Sequence, residues 1–157
     1  MRILVLSDSH GNTAALRKAI NAQKEAKHIF FLGDNIRDIE LVKDDYPDRT
    51  FYTVCGNCDY GSLALTTDIA VIEGTKILFT HGHRFFVKQS TVPLRQAAAE
   101  RNIKIALFGH THIPVTVYEE GVWLVNPGSV SAPREGRPTY AVIDIEQNGI
   151  MPIIIGV

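Results

Sequence analysis

The sequence predicts an α/β fold in which helices cover a mixed sheet system made of two sheets packed face to face. In the first half of the chain, short apolar runs alternate with polar stretches of helical periodicity. In the second half, pairs of apolar runs flank tight turns. The first pattern is typical of parallel strands joined by helical crossovers, and the second is typical of antiparallel hairpins.

The first half predicts the order β-α-β-α-β. Its apolar runs have the length of buried strands, and apolar residues recur at helical spacing between them. Such an order implies parallel strands connected by right-handed crossovers. The predicted elements are strand Ile3–Leu6, helix Thr13–Ala26, strand Ile29–Leu32, helix Ile36–Asp44 and strand Phe51–Val54.

The second half predicts three hairpins, one helix and one further strand. Turn sequences such as Glu73-Gly74 separate the apolar runs of each hairpin. The hairpins pair Ile69–Ile72 with Lys76–Thr80, Val115–Tyr118 with Val122–Val125, and Tyr140–Ile145 with Ile150–Ile155. The helix is predicted over Thr91–Arg101 and the strand over Ile105–Phe108. Because no linker or repeat interrupts the chain, we expect a single domain over residues 1–157.

The composition argues against several classes of function. With 16 Lys and Arg against 17 Asp and Glu, the chain lacks the basic excess of a general nucleic-acid or anionic-membrane binder, so neither partner is expected. No apolar run reaches the roughly 18 residues that a membrane span requires. The first apolar run, Ile3–Leu6, is too short for a signal peptide and Asp8 follows it, so we expect a cytoplasmic protein.

The residues suited to chemistry follow the predicted strands. Five strands, each apolar up to its last residue, are followed by short segments rich in Asp, Asn and His. Ligand sites in open α/β sheets lie beyond the carboxyl ends of the strands, so these segments are expected to converge. They are Ser7-Asp8-Ser9-His10, Gly33-Asp34-Asn35, Cys55-Gly56-Asn57-Cys58-Asp59, Thr80-His81-Gly82-His83 and Gly109-His110-Thr111-His112.

Each segment alone has a simpler interpretation as a turn or as a hydrogen-bonded loop histidine. Their combination favours a metal site, because four candidate histidine ligands occur together with two aspartates and one asparagine. Oxygen and nitrogen donors without thiolates suit Mn, Fe, Zn or Ni. Seven donors are too many for one tetrahedral ion and suit two ions that share a carboxylate. The predicted ligands are Asp8, His10, Asp34, Asn57, His81, His110 and His112.

The ordered motifs D-x-H, G-D, G-N-x-D, H and G-H-x-H resemble those of the calcineurin-like metallophosphoesterase superfamily, and within it the YfcE-type phosphodiesterase branch. The resemblance extends from Asp8 to the segment Asn126–Ser129, and Pro133-Arg134 also fits this branch. It implies an α/β/β/α sandwich with two central sheets and flanking helices. It further implies a phosphoesterase, in the first place a phosphodiesterase, that hydrolyses small organic phosphates with a hydroxide activated by two divalent metal ions.

The resemblance also implies a role for each candidate ligand. The first metal would be held by Asp8, His10 and His112, and the second by Asn57, His81 and His110. Asp34 would bridge the two ions together with a water or hydroxide. The expected catalytic residues are Asp34, Asn57 and His110, and the expected metal is Mn in preference to Fe, Zn or Ni. Proteins of this branch are often oligomeric and the chain ends in apolar strand sequence, so a homodimer is expected.

One motif departs from the family pattern at Cys58, where the superfamily has a histidine that helps to bind phosphate or to protonate the leaving group. A cysteine is a poor substitute for a cationic imidazole, although it occurs in this branch. Cys58 and His83 are expected to contact substrate, with a hydrogen-bonding role beside the ligands as the simpler interpretation of His83. Asp59 is expected either to orient a ligand histidine or to cap a loop.

Two other functions remain open from the sequence. Some members of the superfamily have lost ligands and serve as non-catalytic scaffolds for protein assembly, although the full ligand set argues against that here. Cys55 and Cys58 form a C-x2-C pair that also occurs in redox sites. A thioredoxin-like pair begins a helix, whereas Tyr60-Gly61-Ser62 is poor helix-starting sequence, so the redox hypothesis is the weaker one.

Overall fold

The computed structural model describes residues 1–157 and contains ten strands, three α-helices and one short 3-10 helix. Every predicted strand and helix is present, with shifts at the ends. The strands are β1 (Arg2–Leu6), β2 (His28–Phe31), β3 (Thr50–Thr53), β4 (Thr67–Ile72), β5 (Thr75–Thr80), β6 (Ile105–Leu107), β7 (Pro114–Glu119), β8 (Val122–Pro127), β9 (Thr139–Glu146) and β10 (Gly149–Gly156). The helices are α1 (Thr13–Ala22), α2 (Ile36–Lys43) and α3 (Val92–Ala99), and the 3-10 helix is His83–Phe85.

The first sheet, sheet A, has the strand order β10-β9-β1-β2-β3. Strands β1, β2 and β3 are parallel, as the β-α-β-α-β pattern predicts. In the register, Leu6 is opposite Phe31, and Phe31 is opposite Thr53. Because the three strands end at one level, the polar segments that follow them emerge side by side at one edge of the sheet.

The second sheet, sheet B, has the strand order β4-β5-β6-β8-β7. Its outer pairs, β4 with β5 and β7 with β8, are the two predicted antiparallel hairpins. Its centre, formed by β5, β6 and β8, is parallel. Phe79 is opposite Leu107 and Leu107 is opposite Val125, so the segments after these strands also start at one level.

The two sheets pack face to face, which confirms the predicted two-sheet sandwich with flanking helices. Fifteen buried residues from both sheets form the central core, including Val5, Phe30, Phe79 and Leu107. Helices α1 and α2 cover the outer face of sheet A, and α3 covers that of sheet B. Measured by length and hydropathy, none of the helices could cross a membrane.

Helix α1 ends at Ala22, earlier than the predicted end at Ala26. The chain turns at Gln23, whose backbone N–H donates to the Ile20 carbonyl. The Arg49 guanidinium then donates to the carbonyl oxygens of Gln23 at 2.9 Å and Ala26 at 3.0 Å. Because this arginine comes from beyond β2, the helix end is set by a tertiary contact that helical periodicity cannot reveal.

Strand β10 forms one outer edge of sheet A and leaves Met151 and Ile153 exposed. The homodimer expected from this apolar segment stays a prediction.

Candidate metal centre

The five polar segments converge beyond the ends of β1, β2, β3, β5 and β6. All seven candidate ligands lie in one continuous cluster, in which each residue has at least one donor atom within 3.9 Å of another. The level ends of the parallel strands in each sheet and the face-to-face packing of the sheets explain why residues 102 positions apart, His10 and His112, can meet. The cluster divides into two groups around Asp34.

The first group contains Asp8, His10, Asp34 and His112, whose ligand atoms all lie within 4.8 Å of one another. His112 Nε2 is 3.1 Å from Asp8 Oδ1 and 3.3 Å from His10 Nε2. His10 Nε2 is 3.9 Å from Asp34 Oδ2. Asp8 and Asp34 are buried, whereas His10 is exposed, so the group opens to solvent on the side of His10.

The second group is centred on His81, which is completely buried. Its Nε2 atom is 3.1 Å from Asn57 Oδ1, 3.2 Å from His110 Nδ1 and 3.4 Å from Asp34 Oδ1. The two carboxylate oxygens of Asp34 therefore face different groups, with Oδ1 toward His81 and Oδ2 toward His10.

Backbone carbonyls determine how two of the histidines present their nitrogens. His81 Nδ1 is 2.7 Å from the Leu32 carbonyl oxygen, and His112 Nδ1 is 2.6 Å from that of Ala132. A carbonyl oxygen can only accept, so both Nδ1 atoms carry protons. In the neutral imidazoles the Nε2 lone pairs then point into the cluster, which is the orientation that a metal-ligating histidine requires.

The electrostatics of the first group depend on Asp8. Its Oδ2 accepts from Ser7 Oγ at 2.5 Å and from the His110 backbone N–H at 3.2 Å, whereas the buried Oδ1 makes no hydrogen bond of good geometry. Burial alone would raise the pKa of Asp8, but the neighbouring His112 and His81 lower it below its ordinary value. The contact with Asp8 in turn raises the pKa of His112. The cluster thus contains a buried carboxylate oxygen, Asp8 Oδ1, that has no hydrogen-bond partner of good geometry.

The pKa of His110 is shifted in the opposite direction to that of His112. Burial, followed by the positive charges that His81 and Lys88 can carry, lowers its pKa to about 4. It is therefore neutral at physiological pH and has an imidazole lone pair available for a cation.

Several residues of the cluster share an uncommon backbone conformation, with positive φ. Positive φ is uncommon for residues other than glycine and costs about 1–3 kcal/mol when it is held by the surrounding structure. The candidate ligands with positive φ are Asp8 (56°), His10 (44°), Asp34 (59°), His110 (68°) and His112 (60°). Five of the seven candidate ligands therefore have a backbone conformation of the kind that clusters at functional sites.

Two aspartates that are not ligand candidates hold the loops of sheet A. Asp59 accepts from the backbone N–H groups of Asp34, Asn35 and Ile36 at 2.8–3.0 Å, and of Gly56 at 2.7 Å. It therefore caps the loop before α2, which decides between its two predicted roles. Asp38 Oδ2 accepts from Ser9 Oγ at 2.6 Å and from the Gly11 N–H at 2.7 Å, which ties the Asp8–His10 loop to α2. Sequence reasoning missed Asp38, because an aspartate in the first turn of a helix looks ordinary.

The segment Asn126–Ser129 holds the loops from the other side, a role that the sequence did not reveal. Asn126 Nδ2 donates to the Gly109 carbonyl at 2.9 Å and to Thr111 Oγ1 at 3.0 Å. Ser129 Oγ donates to the Asp8 carbonyl at 2.7 Å. Both side chains are completely buried, so this segment supports the loops that carry Asp8 and His110.

Two motif glycines are required by close approach. A Cβ at Gly33, where φ is +93°, would lie 2.4 Å from the Gly56 nitrogen. A Cβ at Gly109 would lie 2.1 Å from Ser7 Oγ and 2.9 Å from Asp8 Oδ2. The neighbouring loops therefore come close enough for their ligands to meet only because these positions lack side chains.

Cys58 and His83 border the cluster. The Cys58 backbone N–H donates to Asp34 Oδ1 at 3.0 Å, and its side chain is exposed. The His83 ring centroid is 6.1 Å from that of His110, and its buried Nδ1 has no hydrogen-bond partner. Desolvation and the neighbouring Asp34 raise the pKa of the Cys58 thiol to about 11, and the pKa of Cys55 is also raised. Since the thiolate is the reactive form, these cysteines are poorly suited to redox exchange.

Replacement of Asp38 tests the positioning role assigned to it. We expect Asp38→Ala to release the Asp8–His10 loop and to lower metal affinity or kcat/KM by about 10- to 100-fold, the usual effect of losing a group that orients ligands. Asp38→Asn retains an oxygen acceptor and should preserve most of the metal affinity and of kcat/KM. Titration of metal by calorimetry measures the affinity, and equal losses in the two variants would contradict the role.

The donor set fits divalent cations. Asp, Asn and His supply oxygen and nitrogen ligands, the His81 and His112 lone pairs point inward, and Asp8 Oδ1 is buried without a full partner. Asp8, His10, Asp34 and His112 place their ligand atoms within 4.8 Å of one another, which is close enough for one cation to be bound among them. The fold and the cluster together define a metal-binding α/β sandwich.

Comparison with known proteins identifies the family. The sequence profile of the calcineurin-like phosphoesterase superfamily domain matches residues 1–148. The chain is 31% identical over 150 residues to the probable metallophosphoesterase YsnB of Bacillus subtilis, covering 94% of this chain and 86% of that protein. It is 26% identical over 178 residues to the phosphodiesterase YfcE of Escherichia coli, covering 98% of this chain and 91% of that protein.

A solved structure supports the same assignment. The crystal structure of a conserved uncharacterized protein from Streptococcus pneumoniae, described as a predicted phosphoesterase, superposes with a TM-score of 0.83. It is 29% identical and covers 99% of this chain and 88% of its own. The chain therefore belongs to the calcineurin-like phosphoesterase superfamily, as its ordered motifs predict. Family membership and the cluster of Asp8, His10, Asp34 and His112 support the use of divalent metal.

Proposed function

We propose that the protein is a phosphodiesterase that hydrolyses small organic phosphodiesters with two divalent cations, preferably Mn²⁺. The observation that carries this proposal is the position of Asp34, whose two carboxylate oxygens face two separate groups of donors. A carboxylate in that position can be shared by two ions. The relatives named phosphodiesterase and metallophosphoesterase support the reaction class.

In this proposal the ligands divide as the family resemblance implies. Asp8, His10 and His112 would hold one ion, Asn57, His81 and His110 would hold the other, and Asp34 would be shared. When bound, such a pair supplies Lewis acidity to the phosphoryl oxygens and lowers the pKa of water, so that a hydroxide is available near neutral pH.

The residues of the chain contribute orientation. The Leu32 and Ala132 carbonyls orient the imidazoles of His81 and His112, so that their Nε2 atoms point into the cluster. Asp34, Asn57 and His110 have the catalytic role in this proposal, as the family resemblance implies; Asp34 faces both groups, and Asn57 and His110 lie beside His81 in the second group. In the reaction, the oxygen of water bonds to phosphorus and the bond from phosphorus to one ester oxygen breaks, which yields a monoester and an alcohol that takes up a proton.

Hydrolysis of bis(4-nitrophenyl) phosphate tests the proposal. We expect turnover that requires Mn²⁺, that EDTA abolishes and that dithiothreitol does not change. A non-catalytic scaffold would bind metal without turnover, and a thiol-based activity would respond to dithiothreitol but not to EDTA. Either of those results would overturn the proposed function.

The rate of hydrolysis should depend strongly on the leaving group, because position 58 carries a thiol in place of the family's histidine. Protonation of a departing alkoxide by a general acid is worth about 10²–10⁴-fold, and the Cys58 thiol lacks the cationic N–H donor of a protonated imidazole. We therefore expect aryl diesters with good leaving groups to outperform alkyl monoesters. Cys58→His should improve poor leaving groups more than good ones. Relative kcat/KM values over a leaving-group series check this, and a preference for alkyl monoesters would contradict it.

A further inference from the structure

A groove lies directly beside the candidate metal centre on the side of sheet B. Its volume is about 660 Å³, and its apolar wall includes Val87, Phe108 and Ile113. Thr111 also lines it and stands between His110 and His112, so the groove adjoins the loop that carries these two candidate ligands. This volume suits a ring-sized group next to a phosphate.

The groove carries charges that have no partner within the protein. Lys88, Arg134 and Glu135 line it, and none of the three side chains forms a salt bridge. The Arg134 backbone N–H donates to the His112 carbonyl at 3.3 Å, which places Arg134 next to the loop that carries His112. The side chains of Lys88, Arg134 and Glu135 together carry a net charge of +1 beside the cluster.

A second cavity of about 540 Å³ lies on the side of sheet A and shares no residue with the groove. Asn35 and Cys58, the direct neighbours of Asp34 and Asn57, line it together with Tyr60. The cluster is thus accompanied by two separate recesses, one from each sheet. A phosphodiester has two ester arms, which is the number that this arrangement can accommodate.

We infer that the sheet B groove binds one ester arm of the substrate and selects an arm that carries a ring or other apolar body and a single carboxylate. The inference rests on the proposed phosphodiesterase function and names its substrate class. The apolar wall contacts the body of the arm, and Lys88 and Arg134 bind its carboxylate. A single negative charge matches the net charge of the groove, whereas a phosphate dianion would leave an excess of negative charge beside Glu135.

Two chromogenic diesters test the inference, bis(3-carboxy-4-nitrophenyl) phosphate and its uncharged bis-carboxamide. Both arms of each are identical, so the result does not depend on which arm leaves. The quantity measured is the ratio of kcat/KM for the acid to that for the amide, with Mn²⁺ present. Comparing this ratio between proteins cancels the intrinsic reactivity of the two compounds.

In the variant Lys88→Gln with Arg134→Gln, we expect the ratio to fall by about 2- to 30-fold, mainly through KM, since each exposed ion pair contributes modestly. The wild-type ratio should also fall as NaCl is raised, because exposed charges are screened. The control Lys18→Gln with Lys24→Gln removes two exposed lysines at and after α1, which packs on the other sheet. It changes the net charge equally and should keep the wild-type ratio.

Turnover of both diesters with the same ratio in the groove variant and the wild type would overturn this inference alone. An equal fall in the control variant would also overturn it, because the effect would then be one of net charge. If the wild type with Mn²⁺ hydrolyses bis(4-nitrophenyl) phosphate but neither of these two diesters, the inference is overturned and the proposed function stands. If it hydrolyses none of the three, the proposed function is overturned and the inference with it.

Discussion

Asp34→Asn is expected to cost the protein most of its bound metal and more than about 100-fold in kcat/KM. Asp34 is the residue whose two oxygens face both donor groups, at 3.4 Å from His81 Nε2 and 3.9 Å from His10 Nε2. An amide keeps the shape but offers one neutral oxygen and an N–H₂ group that repels a cation. Loss of a group that only orients a ligand already costs about 10- to 100-fold, so loss of a shared ligand should exceed that.

Elemental analysis and kinetics with bis(4-nitrophenyl) phosphate check this result on the same preparation. Asp44→Asn is the matched control. Asp44 is exposed at the end of α2, and its substitution changes the net charge by the same amount. The Asp34→Asn substitution should leave the unfolding transition of the metal-free protein near that of the control. Near-normal turnover with full metal content would refute the assignment of Asp34 as the shared ligand.

Both removal of metal and acidification are expected to abolish activity, because protons compete with the cation for the histidine ligands. Ligand histidines must be neutral, and free histidine has a pKa of about 6.5. The contact with Asp8 raises the pKa of His112, so below this raised value a proton occupies Nε2 and competes with the cation. His110, with a pKa of about 4, stays neutral through the same range and adds nothing to the effect. Metal affinity should therefore fall as the pH falls, and binding should release protons.

A pH–rate profile from pH 5 to 8, at low and at saturating Mn²⁺, separates the two effects. Activity should rise with pH in both series, and more steeply at low Mn²⁺. Saturating Mn²⁺ should restore the part that is due to lost metal, but not the part that is due to protonation of the attacking water, whose pKa at a favourable metal site is about 7. A flat profile that EDTA does not affect would exclude the two-metal proposal.

Local patterns predicted much of the fold. The apolar runs and amphipathic stretches located every strand and α-helix, and the alternation in the first half predicted the parallel order of β1, β2 and β3. The place of β9 beside β1 was not predictable, because Ile143 and Ile3 pair across 140 positions without any local signal. Nor did any pattern indicate that β8 would lie parallel to β6. These pairings depend on which apolar faces bury each other, and many strands offer similar faces.

The candidate ligands were recognisable because Asp, Asn and His are unexpected directly after strands that are apolar to their last residue. The residues that support them lack that contrast. Asp38 stands in an ordinary helix start, and Asn126 in an ordinary Pro-Gly turn, yet both are buried and bind site loops. Burial and hydrogen-bond partners are properties of the packed molecule, so the sequence has no local pattern that reports them.

What the sequence by itself determined is the kind of chemistry available, because ligand preference belongs to the side chain. Oxygen and nitrogen donors at five strand ends suit divalent cations in any fold that brings them together. Only the tertiary structure decided that Asp34 faces both groups, that carbonyls of Leu32 and Ala132 hold the imidazoles, and that the five ligands with positive φ keep their conformation. These features depend on distances of 2.6–3.9 Å between atoms of different loops, and such distances are fixed only when the core between the sheets is packed.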